Sequence, residues 1–161
     1  MAFISGTGIA FAGRTRAWAT SLAALLCFAA LPAMAPAPVT GSVEIEFTQL
    51  RSAKGVLRVC LTNAQSGFPD CSGGGWVLRR TISAGAPRLH LEGLAPGKYA
   101  LAVIHDANDN AKLDTMLGIP REGFGFSQNP AIRFGPPSFE SAGFEVAAGA
   151  QMQQVRIRYL L

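Results

Sequence analysis

In the stretch "VIHDANDNAKLDTMLGIP", residues 103–120, an apolar run gives way to Asp106, Asn108, Asn110 and Asp114. Oxygen-bearing side chains at alternate positions converge on one point when the backbone curls, which is how loops ring Ca²⁺ with hard ligands. Counted as a calcium loop, Asp106, Asn108, Asn110, the Lys112 carbonyl and Asp114 fill positions 1, 3, 5, 7 and 9. Position 6 is Ala111 where the sharp turn wants glycine, position 12 is Leu117 where a bidentate glutamate belongs, and Glu122 is available only as a distant ligand. Two carboxylates, two amides and a carbonyl would hold Ca²⁺ in the weak range, with Kd of about 10⁻⁴ to 10⁻³ M. The same residues also close a hairpin loop unaided, because Asn and Asp side chains accept from backbone NH groups two residues on and tolerate left-handed backbone. Both readings stand at this stage.

His105 precedes Asp106 and, by alternation, shares a side with Leu101 and Val103, at the margin of a core. A hydrolase of the cell envelope would draw on His105, Asp106, Asp114, Glu122 and a serine such as Ser127 or Ser138. These residues form no Gly-x-Ser-x-Gly elbow, and a triad is defined by geometry rather than order. A zinc site would need convergent nitrogen or sulfur ligands, and His90 is the only other histidine. A hydrogen-bonded structural histidine explains His105 with fewer assumptions, so the expected protein is not an enzyme.

The elements that position these residues follow a leader. Arg14 and Arg16 precede the apolar "AWATSLAALLCFAALPAMA", which ends in the small-x-small pattern Ala33-Met34-Ala35. Residues 1–35 read as a signal peptide whose cleavage point is blurred by Pro36, with no membrane span left after removal and a periplasmic or secreted destination. Residues 36–40, "PAPVT", read as a linker and 41–161 as one domain. Of 14 Lys and Arg, two lie in the leader, so 12 face 10 acidic groups, a balance of +2 with the arginines scattered; this is no nucleic-acid-binding charge. Cys60 and Cys71 are the cysteines left of three, and an oxidising compartment predicts that they pair. Such a bridge is worth about 3 kcal/mol on the chain-entropy account.

After residue 40, apolar residues alternate rather than recur at helical spacing. "SVEIEFTQL", "GVLRVCLTN", "WVLRRTI", "PRLHLEG", "GKYALAVIH", "AGFEVAAG" and "QMQQVRIRYLL" predict about seven antiparallel strands, an all-β sandwich of immunoglobulin-like or transthyretin-like kind. Residues 117–141 resist that pattern, carrying Phe124, Phe126, Phe134 and Phe139 among glycines and prolines. A loop this aromatic either folds over the end of the sandwich as a packed lid or offers its rings to a partner, and the packed lid is expected.

"GLAPGKYALAVIHDANDNAKLDTMLGIPREGFGFSQN" followed by "FGPPSFESAGFEV" resembles the bacterial domain-of-unknown-function family DUF 2141 over roughly residues 41–159. The chain departs from that family's usual pattern at Ala111, where glycine is common, and at Met116 and Gln128, where asparagine is. The resemblance implies an exported β-sandwich and supplies no activity. Together these readings give an exported, non-catalytic envelope module that binds a partner protein or glycan, with calcium at 106–114 as its possible ion; the alternative is the envelope hydrolase built on His105.

Overall fold

The computed structural model describes residues 38–133 and 135–161; residues 1–37, which include the stretch read as a signal peptide and the start of the expected linker, and Phe134 lie outside them. Ala37–Leu161 forms a compact unit of its own. Pro38, Val39 and Thr40 are exposed and lead into the first strand.

In chain order the elements are β1 (Gly41–Thr48), β2 (Val56–Thr62), β3 (Val77–Ser83), β4 (Arg88–Leu94), β5 (Gly97–Asp106), β6 (Thr115–Met116), β7 (Ile119–Pro120), β8 (Gly123–Phe126), a single helical turn α1 (Phe139–Ala142), β9 (Gly143–Val146) and β10 (Gly149–Arg156). The seven strands expected from alternation are all present, and β6, β7 and β8 are additional. One sheet runs β10-β1-β4, with β1 and β10 parallel. The other runs β3-β2-β5-β8, and β9 joins the N-terminal half of β5 on the edge whose other half holds β8.

The fold is an all-β sandwich, and alternation dictates how it closes. In β1, Val43, Ile45 and Phe47 are buried while their neighbours stay partly wet. They meet Leu57, Leu61, Leu101 and Val103 of the second sheet, with Leu89, Leu91, Val155 and Ile157 completing the core. Each such side chain contributes about 1.5–3 kcal/mol on leaving water.

Strand β5 differs from β1 because both of its faces are covered. Its run Tyr99–Val103 is buried without a break, the pattern of a strand sandwiched on two sides. On the outer face, Ala100 and Ala102 join Cys60, Cys71, Phe124, Phe126, Phe139 and Ala142 in a second apolar cluster. Both clusters lie within the strands and turns that follow residue 40, so this unit carries its own core.

The aromatic segment therefore covers the outer face of a sheet rather than the end of the sandwich, and part of it is a strand. Phe124, Phe126 and Phe139 are buried; the fourth ring expected there, Phe134, is outside the described residues. "GFGF" hides its strand character because glycine weakens β propensity, yet the glycines have a steric cause. A Cβ on Gly123 would stand 2.5 Å from the Tyr159 ring, and one on Gly125 would stand 2.7 Å from the Arg156 carbonyl oxygen. The C-terminal segment crosses so close to β8 that only hydrogen fits. Phe124 seals the crossing with two backbone hydrogen bonds to Arg158, of 2.9 and 2.8 Å.

Candidate functional site

Strand β5 ends at Asp106, whose side chain is fully buried. Its Oδ2 accepts from Arg58 Nε at 2.7 Å and from the Ala111 backbone NH at 2.8 Å, and its Oδ1 accepts from the Asn110 NH at 3.0 Å. Arg58 reaches this carboxylate because β2 and β5 are antiparallel neighbours and Arg58 stands opposite Ile104, on the outer face. Burial pushes the Asp106 carboxyl up, but the Arg58 guanidinium and the two NH donors outweigh it and hold the group below the usual carboxylate range. The other fork of Arg58 donates to Asp109 at 2.6 Å.

The remaining loop residues close on one another. Asn108 Nδ2 donates to Asp114 Oδ2 at 2.8 Å, and Asn110 Nδ2 lies 3.1 Å from both Asp114 oxygens. The amide oxygens turn the other way: that of Asn108 accepts from the Asn110 NH and that of Asn110 from the Lys112 NH, the Asx turns that such residues form. Glu122, buried, spends one oxygen on the Ala107 NH at 3.3 Å and the other on the Asp114 NH at 3.1 Å. Asp109 and Ala111 take the left-handed backbone, with φ of 55° and 63°.

The structure thus gathers Asp106, Asn108, Asn110 and Asp114 into one loop and adds Glu122 and Arg58 to it. The amide oxygens of Asn108 and Asn110 face backbone NH groups while their nitrogens face Asp114, so the oxygens of this loop do not converge on one point. In the geometry present the side chains satisfy one another, and among the described residues no three His, Cys, Asp or Glu side chains stand as a metal cluster.

His105 faces the opposite side of β5 and is 1 % exposed. The Lys54 carbonyl can only accept, so Nε2 carries a hydrogen and donates to it at 2.8 Å. The Tyr159 hydroxyl accepts from the Arg51 backbone NH at 3.1 Å, which leaves its own hydrogen for His105 Nδ1 at 2.6 Å. Burial pushes the Tyr159 phenol up. Both ring nitrogens are thereby spent, and a proton acceptor in a reaction must be reachable by substrate. Ser127 is likewise consumed: its buried Oγ accepts from the Leu101 NH at 2.9 Å and donates to the Ala142 carbonyl at 2.5 Å, tying β8 and α1 to β5. Ser138 caps α1 by accepting from the Ser141 NH. His90 stands apart on the surface between Glu44 and Glu92, at 3.0 and 2.9 Å.

Cys60 and Cys71 are bonded, with Cα atoms 5.8 Å apart. The bridge pins the loop after β2 against the outer face, where Phe68 packs edge-on against both Phe126 and Phe139. Farther along the same face the cover lifts. There a cavity of about 580 Å³ opens, lined by Ile104, Phe124 and Phe126 of β5 and β8, by Ile119 of the β6–β7 hairpin, and by Ile132 and Leu160. Arg133 and Asp70 are the charged residues of its lining.

Sequence patterning left this groove and Arg58 unmarked. The signal for the covered outer face is the unbroken apolar run "YALAVI", which alternation alone does not require. Nothing local marks the gap in that cover, because it depends on how two distant loops are propped.

The fold and this groove define a class, the all-β sandwich whose second sheet carries an apolar outer face under a long aromatic connection. The chain belongs to the family described as "uncharacterized protein conserved in bacteria (DUF2141)", whose family model matches residues 45–154. Among curated proteins and among solved structures no match is found.

Proposed function

We propose that the protein is an exported, non-catalytic module of the bacterial cell envelope that binds a small apolar ligand in the groove on the outer face of the β5–β8 sheet. The cavity carries this reading: about 580 Å³ falls within the roughly 300–1,000 Å³ of small-molecule sites. Its walls favour a hydrophobic ligand over a glycan, whose hydroxyl groups would lose water there and find few partners. Arg133 in its lining makes no ion pair among the described residues, so it suits an anionic end such as a carboxylate. Export rests on the leader pattern of residues 1–35.

The test is titration with an environment-sensitive naphthylamine dye, competed with a medium-chain fatty acid. Ile104→Trp places a large ring where the cavity already offers room, so the fold persists while dye affinity falls more than about tenfold. Undiminished binding by a folded Ile104→Trp variant would remove the groove from the proposal.

A further inference from the structure

Part of the groove's lining is carried by a loop that one covalent bond fastens to the sheet. Residues 63–76 join β2 to β3, and their neck closes without the cysteines. The Asn63 NH donates to the Trp76 carbonyl at 3.3 Å, the Trp76 NH to Asn63 Oδ1 at 3.1 Å, and Thr62 Oγ1 to the Trp76 carbonyl at 2.9 Å. Beyond the neck, the hydrogen bonds of the residues nearest the groove stay inside the loop. The Phe68 NH donates to the Gln65 carbonyl, the Cys71 NH donates to the Gly67 carbonyl, and Asp70 accepts from the Ser72 NH and hydroxyl. What reaches the sheet is the bond from Cys71 to Cys60 of β2, the Arg79 guanidinium on the Cys71 carbonyl, and the Phe68 ring against Phe126.

Pro69 and Asp70, the two residues before Cys71, belong to the groove's lining, so the place of this wall is set where the bond is made. Cys71 is buried in the left-handed backbone, φ 60°, a region that side chains other than those of Asn, Asp and His seldom enter. Without the bond the loop can relax at Cys71 and regains the chain entropy that ring closure removes. Segments with few tertiary ties open locally while the rest of a fold stays closed. The larger core between the two sheets holds neither cysteine, so the sandwich does not depend on the bridge for its packing.

We infer that the Cys60–Cys71 bond is a redox latch on the groove: the wall at Pro69 and Asp70 stands while the bond is oxidised and swings free when it is reduced, taking ligand affinity with it. The reductant is a dithiol. One of its thiolates attacks a bridge sulfur and breaks the S–S bond; its second thiol resolves the mixed disulfide. Two electrons and two protons thus pass to the protein, which ends with two thiols, and the dithiol ends as a cyclic disulfide. Both cysteines are buried, so attack waits on opening of the loop, and a ligand that binds the closed groove slows reduction by the same coupling. This inference rests on the groove as the ligand site, and its test separates the two.

The test uses residues 37–161, which carry their own core, oxidised and after dithiothreitol, with the naphthylamine dye titrated and backbone hydrogen exchange followed. Reduction is expected to lower dye affinity about tenfold, as for a wall in place about a tenth of the time. Cys60→Ala combined with Cys71→Ala should match the reduced protein and ignore the reagent. Exchange should rise at 64–74 while the amides of β1 and β5 stay protected. A saturating medium-chain fatty acid should slow the appearance of thiols about tenfold or more in the parent, and not in Ile104→Trp. Unchanged exchange at 64–74 on reduction, loss of protection throughout the sandwich, or a reduced protein that binds dye as tightly as the oxidised one each overturns the latch and leaves the groove standing. An oxidised protein that binds no dye removes the groove reading, and the latch with it.

Discussion

The two faces of strand β5 treat their polar residues in opposite ways. On the inner face, Leu101 and Val103 lead to His105, which is sealed in a core and matched to two partners. On the outer face, Ala102 and Ile104 lead to Asp106, which starts a loop held by Arg58 and by the loop's own backbone. The first arrangement ends at Tyr159 and finishes the fold. The second props the hairpin that keeps the outer cover from closing. The groove in this sandwich therefore arises where packing is incomplete, and the most conspicuous titratable side chain, His105, belongs to the opposite, inner face.

The largest effect should come from cutting the outer support. Asp106→Ala leaves the Arg58 guanidinium and two backbone donors without their acceptor, and a loss of about 3 kcal/mol is expected in urea unfolding. Because its folded pKa is held below that of the unfolded chain, Asp106 contributes stability that is fully present above the ordinary carboxylate pKa. That contribution is lost as pH falls through the depressed folded value. The acid limb of the stability profile should accordingly flatten in Asp106→Asn. An unchanged limb would show that another carboxylate governs acid unfolding.

Cutting the inner seal should cost less. Tyr159→Phe removes one hydroxyl and leaves His105 Nδ1 and the Arg51 NH without that partner, a loss of about 1–2 kcal/mol. The same substitution should leave dye binding in the groove unaltered, since the hydroxyl it removes bonds only to His105 and to the Arg51 NH. A Tyr159→Phe variant that loses the ligand would erase the distinction between the faces.

Seven strands and the disulfide partners were legible in the sequence because alternation and an even cysteine count are local facts. The sequence concealed β8 because its glycines answer a long-range constraint, the passage of Arg156 and Tyr159 across Gly125 and Gly123. The composition of the loop at 106–114 was legible too, but its anchor was not: Arg58 lies 48 residues from Asp106 in sequence and looks like any solvent-facing arginine on an edge of alternation. The groove was least legible, since it is the space left between a sheet and two connections.

Calcium gives the finest discrimination between a loop that props and a loop that binds. A site with Kd of about 10⁻³ M would add about 1.4 kcal/mol at 10 mM Ca²⁺, a rise of several degrees in melting temperature for a domain of this size. Against that gain stand the bonds already formed. Asp106 Oδ2 is held by a guanidinium, both Glu122 oxygens hold backbone donors, and two Asx turns must be given up to free the amide oxygens. A cation placed beside Asp106 also meets the charge of Arg58. The expected shift with Ca²⁺ against chelator is therefore below about 1 °C. A rise of several degrees that disappears in Asp114→Asn would show that the loop binds calcium, and would make the outer support of the groove responsive to the ion.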